Sequence, residues 1–115
     1  MLFRSVAFWG KWGDPLYVAY LLGGVPWETE ANYNAEAAIW QVSKVMTPTH
    51  IVAGSEDTFA LEEHLLERAL QARGIRHSHL IFPGEGHGLD KNPWHGKIKV
   101  REELKWLERY GRKKR

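Results

Sequence analysis

The 115-residue chain has no cysteine. That excludes a disulfide framework and any thiolate metal site, and it fits a reducing compartment, so a cytoplasmic setting is favoured. No apolar run approaches the roughly 20 residues that span a bilayer, and no membrane partner is expected. Leu2-Phe3 is cut off by Arg4-Ser5, and Val6-Ala7-Phe8-Trp9 is too short for the apolar core of a signal peptide. Charge of one sign is also scarce: 16 Lys and Arg face 14 Asp and Glu, and without Arg112, Lys113, Lys114 and Arg115 the basic count falls to 12. A nucleic-acid binder needs a basic face within its fold rather than a terminal run. No nucleic-acid partner is therefore expected, and 112–115 is a solvated basic tail.

What is present changes character near Thr47. Before it, the chain is rich in tryptophan, glycine and proline. Asp14-Pro15 is an N-cap with proline at the first helical position, predicting a short helix through Leu22 that Gly23-Gly24 stops. Pro26-Trp27 holds the chain extended, Thr29 with Asn32 and Tyr33 opens another short helix, and Ala35 to Trp40 is a third. After Thr47-Pro48-Thr49 comes a buried-type strand, His50 to Ala53, ended by Gly54. Phe59 to Arg73 has helical periodicity, with Leu61, Leu65, Leu66, Ala69 and Leu70 on an apolar stripe and Glu62, Glu63, Glu67, Arg68 and Gln71 toward water. Gly74 is placed for a left-handed cap. A second strand runs from His77 to Phe82, and a last helix from about Gly96 to Tyr110 turns Val100, Leu104 and Leu107 inward. Strand, helix and strand make a βαβ unit, so the fold class is α/β. Two strands are a poor closed core, and a parallel pair needs neighbours, so the sheet is expected to be one side of a larger one.

In an open parallel sheet, reactive groups gather beyond the carboxyl ends of the strands. Asp57 lies three places past Gly54, and His87 sits in Pro83-Gly84-Glu85-Gly86-His87-Gly88, directly after the second strand. Alone, an aspartate there is a turn or cap residue and a histidine there a solvated loop residue. Together, in the order acid then histidine on consecutive strand ends, they match the second half of a Ser…Asp…His arrangement. A histidine can move the proton of a serine hydroxyl while a carboxylate fixes its tautomer and stabilises the imidazolium. Gly84, Gly86 and Gly88 are expected to bend the backbone around the ring. The nucleophile is missing: Ser5, Ser43, Ser55 and Ser78 are the serines, and none lies in G-x-S-x-G.

Several segments carry a family resemblance. They are Leu21-Leu22-Gly23-Gly24-Val25-Pro26-Trp27-Glu28, Ala37 to Val45, Thr47 to Asp57, Phe82 to Gly88, and Leu104-Lys105-Trp106-Leu107-Glu108-Arg109-Tyr110. In these the chain resembles the C-terminal part of the α/β-hydrolase domain of prolyl oligopeptidase-type serine peptidases, over about residues 10 to 111. The resemblance implies the last parallel strands of an α/β-hydrolase sheet, Asp57 as the triad acid, His87 as the general base, a peptide or ester substrate, and no cofactor or metal. It also implies that the other half of the domain, with the nucleophile, lies upstream as this chain's missing partner, so these 115 residues alone are expected to be inactive. Thr58-Phe59-Ala60-Leu61 departs from the arginine and Val-Pro common after the acid in that family, which leaves the substrate pocket open. Met1-Leu2-Phe3-Arg4-Ser5 has no counterpart there and is what the end of a sequencing adapter would encode, so 1–9 is expected to be a foreign start.

Three other readings compete. The runner-up enzyme is an esterase or a dienelactone-hydrolase-like protein. A metal site would draw on His77, His79, His87 and His95 with Asp90 or Asp57, and is not expected, since a coincidence of folding would be needed to supply the third ligand. A nucleic-acid or interaction module would rest on the basic tail and six tryptophans, which are expected instead to be core or pocket-wall residues.

Overall fold

A computed structural model describes residues 6–11 and 13–111. The expectations for 112–115 and for residues 1–5 lie outside the described residues. The elements run α1 Val6–Lys11, α2 Pro15–Leu22, α3 Glu30–Glu36, a 3-10 helix Ala38–Lys44, β1 Thr49–Gly54, α4 Ala60–Ala72, β2 His77–Phe82 and α5 Pro93–Tyr110. Among the described residues, no helix is long and apolar enough to cross a membrane.

β1 and β2 pair in parallel and end level, from Thr49 opposite His77 to Gly54 opposite Phe82. Alternate side chains point to opposite faces, and the two helices divide them. His79 meets Glu67 of α4, whereas His50 stacks on Trp106 and Phe82 lies against His95, both of α5. The strand–helix–strand unit with a helix on each face is thus formed, as a two-stranded sheet.

Local chemistry sets the boundaries. Asp14 Oδ1 accepts from the amides of Leu16 and Tyr17, so α2 begins where Asp14-Pro15 places it. Gly23 takes φ 79° at its end, and Asn32 and Tyr33 donate to the carbonyls of Leu22 and Gly24 at 2.9 and 3.0 Å. α4 closes in a Schellman turn: the Gly74 amide donates to Gln71 and the Ile75 amide to Leu70. The third short helix expected over Ala35 to Trp40 does not form. α3 runs through Glu36, Ala37 is extended, and a tighter 3-10 turn follows. Arg73 then fixes that turn to α4 by donating to the carbonyls of Val42 and Val45, each at 2.6 Å. α5 begins at Pro93 rather than near Gly96, because Asn92 caps it through the Trp94 amide.

The apolar stripes depart most from expectation. On α4 the inward residues are Phe59, Glu62, Glu63, Leu66 and Leu70, spaced at three and four like any helical face. Leu61 and Leu65 are half exposed, so the helix is rolled roughly 60° from its apolar stripe. Glu62 and Glu63, expected in water, are buried. On α5, Val100, Leu104 and Leu107 face outward, while the inward stripe is His95, Ile98, Glu102, Trp106 and Tyr110. Polar anchors in the sheet and histidine loop hold both helices in these rotations. Of the described tryptophans, Trp27, Trp40 and Trp94 are exposed and Trp106 is partly covered, so only Trp9 packs against a buried cluster. One buried cluster is Val18, Leu22 and Tyr33, with Phe8 and Trp9 packed on it. Ile51, Ala53, Phe59, Leu70 and Phe82 are buried at the sheet and α4, and the rings of Phe8 and Phe59 meet at 5.6 Å.

Burial, and after it the charge of Asp57, pushes the Glu63 carboxyl from its ordinary 4.5 up to about 7. Folding therefore takes up a proton at Glu63 in that window, so stability declines as pH rises from 4.5 to about 7 and levels off above it. Glu63→Gln removes this titration. It should flatten the decline and stabilise the chain by about 1–3 kcal/mol near pH 8, measured by urea unfolding on both sides of the window. An unchanged pH profile in the variant would contradict the burial of this carboxylate.

Candidate active site

The two strand ends deliver Asp57 and His87 to one place. His87 Nδ1 lies 2.8 Å from Asp57 Oδ2, and the other carboxylate oxygen, Oδ1, accepts from the Phe59 amide at 2.9 Å. Asp57 is therefore both the turn residue and the histidine's partner. Its side chain is 3 % exposed and that of His87 is 70 % exposed. With Asp57 ionised, the arrangement places the single proton of a neutral imidazole on Nδ1, directed at the carboxylate, and leaves the Nε2 lone pair free to accept a proton. Phe59 stands edge-on to the ring with centroids 5.3 Å apart and limits how the ring can swing.

Backbone contacts fix the separation of the two loops. The Ser55 amide donates to Phe82 and the Glu56 amide to Glu85, both at 2.9 Å, and Ser55 Oγ accepts from the Gly84 amide at 2.8 Å. Gly54 is required by this approach, since a Cβ built there would overlap the carbonyl oxygens of Glu85 and Gly86. Of the three glycines expected to bend the histidine loop, Gly84 takes the left-handed conformation, at φ 74°. The second left-handed residue is Leu89 at φ 51°, a conformation that costs a leucine on the order of 1 kcal/mol.

Glu85 is the site residue that sequence reasoning missed. It is 1 % exposed, and its carboxylate accepts from the amides of Lys91 and Asn92 at 3.0 and 2.8 Å and faces His95 Nδ1 at 2.8 Å. Burial opposes its ionisation, but the Lys91 amide, the His95 imidazole and the Asn92 amide outweigh that and hold the carboxyl below its ordinary value. Its two oxygens thus tie the histidine loop to the first turn of α5, where a helix favours negative charge. The signal was present in Asn92-Pro93, which repeats the grammar of Asp14-Pro15 and marks a helix start within reach of the loop.

The other histidines are held apart. His77 Nδ1 is bonded to the Ile75 carbonyl, His79 to Glu67 and His95 to Glu85, so the structure does not assemble His77, His79, His87 and His95 around one point. Ser55 is spent on Gly84, and Ser78 is bonded to His50.

Gly54→Ala should cost about 1–3 kcal/mol, the usual range for overpacking, and should loosen the contact between His87 and Asp57. Urea unfolding gives the first quantity. A variant as stable as the parent would mean that the loops are not in contact through Gly54.

Comparison with known proteins places the chain in a family and a fold. The model of the prolyl oligopeptidase family matches residues 5–114. No curated protein matches the chain. Among solved structures, esterase B from Lactobacillus rhamnosis (HN001) superposes with a TM-score of 0.65 at 13 % identity, over 94 % of this chain and 38 % of the esterase. At that identity the likeness shows the fold, and this chain spans well under half the length of that protein. It has an α/β-hydrolase architecture with an incomplete sheet, and it belongs to the prolyl oligopeptidase family of serine hydrolases.

Proposed function

We propose that this chain carries the acid and the general base of a serine peptidase. The observation behind this reading is the 2.8 Å contact between a buried Asp57 oxygen and Nδ1 of an exposed His87. In the reaction, His87 Nε2 takes the proton of a serine hydroxyl as the oxygen attacks a peptide carbonyl, and then returns it to the departing amine. Asp57 keeps the ring in the tautomer with the proton on Nδ1 and stabilises the imidazolium while it exists. The same steps in reverse roles let water release the acyl group, and no metal or cofactor takes part.

The serine and one oxyanion donor belong to a strand–turn–helix segment of the G-x-S-x-G type, and the second donor to an earlier loop; these 115 residues contain no G-x-S-x-G. We assign the serine and both donors to an upstream half of the same domain, the partner of this chain. Acid and base without nucleophile and oxyanion donors act on nothing, because these parts work as a unit. An ester substrate is the second reading, favoured by the esterase found among solved structures. Peptide is preferred here on the family match.

A fluorophosphonate probe tests the division of labour. The 115-residue chain should remain unlabelled, and labelling would show an activated serine that this reading denies. In a protein joining this chain to its nucleophile-bearing half, Asp57→Asn should lower turnover by about four orders of magnitude, since it favours the wrong tautomer, with the fold retained by circular dichroism. Turnover within tenfold of the parent would remove Asp57 from the role.

A further inference from the structure

A separate group of side chains lies on the α4 face of the sheet, away from the catalytic pair. His64 and Glu67 are one turn apart on α4, so they project from one side of the helix. His79 reaches them from β2. Glu67 Oε2 lies 2.9 Å from His79 Nδ1 and 3.9 Å from His64 Nδ1, and the two imidazoles meet edge to face with centroids 5.1 Å apart. One ligand atom from each residue falls within 4.8 Å of the others.

We propose that His64, Glu67 and His79 form a binding site for a divalent cation of the zinc class. Two imidazoles and a carboxylate are a donor set that zinc accepts, and metal–ligand bonds of about 2.0–2.2 Å in a tetrahedron place donors about 3.4 Å apart. The 2.9 and 3.9 Å separations bracket that value. Little rearrangement is needed: the His79 side chain is 2 % exposed and fixed in the sheet, while that of His64 is 54 % exposed and free to close the third edge by rotation. The fourth position opens on a groove lined by Leu61, Leu65, Arg68 and Gln71, which leaves room for water. Binding at His79 Nδ1 moves that ring's proton to Nε2, a buried atom with no hydrogen-bond partner among the described residues, and this costs affinity. The Arg68 cation beside the groove opposes a metal and tempers its affinity.

Nothing in the peptidase chemistry needs this site, and the metal-binding set considered from sequence differs from it. That set took the strand and loop histidines and left out the helix, because His64 and Glu67 fall on a stretch of α4 that reads simply as its solvated face.

Calorimetric titration of the 115-residue chain with zinc chloride near neutral pH is the test, run beside His64→Ala, Glu67→Gln and His77→Ala. One equivalent should bind, and each of the first two variants should weaken the apparent affinity at least about tenfold, while His77→Ala binds as the parent does. Zinc should also raise the melting temperature of the parent chain and leave that of His64→Ala unmoved. No binding to the parent, or binding that survives His64→Ala undiminished, would overturn the assignment. His64 is exposed, so its loss leaves the fold available for comparison.

Discussion

The pairing of His87 with Asp57 depends on two parallel strands ending at the same level. With Gly54 opposite Phe82, the chain leaves both strands on one edge of the sheet, and the amides of Ser55 and Glu56 find acceptors in Phe82 at the end of β2 and Glu85 in the loop after it. A register shift of one residue would break that ladder and turn every strand side chain to the other face. Gly54 allows the approach to be this close, and Glu85 then anchors the histidine loop to α5 from the other side. His87 is therefore held from three directions, by β2 through Phe82, by α5 through Glu85, and by Asp57 directly. Its free side, Nε2, faces out.

This architecture also explains an unusual distribution of polarity. Carboxylates occupy interior positions along α4 and in the histidine loop, while leucines and valine lie outside. Glu85 is satisfied by three donors, so its burial strengthens the loop. The Glu62 carboxylate oxygens have no hydrogen-bond partner among the described residues, and Glu63 responds with its raised proton affinity. In a helix where packing alone decided rotation, Leu61 and Leu65 would be inside. Here Phe59 and the contact of Glu67 with His79 keep only the Leu66 and Leu70 side of the stripe inside and leave Leu61 and Leu65 out.

Much of this was legible in sequence wherever a local rule acts alone. Asp14-Pro15, Gly74, the strand from His77 to Phe82, and the placement of an acid and a histidine beyond consecutive strands each follow from chemistry within a few residues. What was not legible involves two elements at once. Periodicity marks which side of α5 is apolar, but the His50–Trp106 and Phe82–His95 contacts determine which side faces the sheet. Glu85 between two glycines looks like loop solvation until α5 is known to begin at Pro93. The His64, Glu67 and His79 group has no spacing signature, because a strand supplies one member and a helix the other two.

The claim on which the functional reading turns is that Asp57 dictates the protonation of His87, and long-range proton–nitrogen NMR on the ring-labelled chain reads it directly. Near neutral pH, His87 should be in the tautomer with the proton on Nδ1, carrying a strongly downfield Nδ1 proton resonance that disappears in Asp57→Asn. A His87 ring found with its proton on Nε2, or one whose spectrum is the same in Asp57→Asn, would contradict the pairing and the role assigned to it.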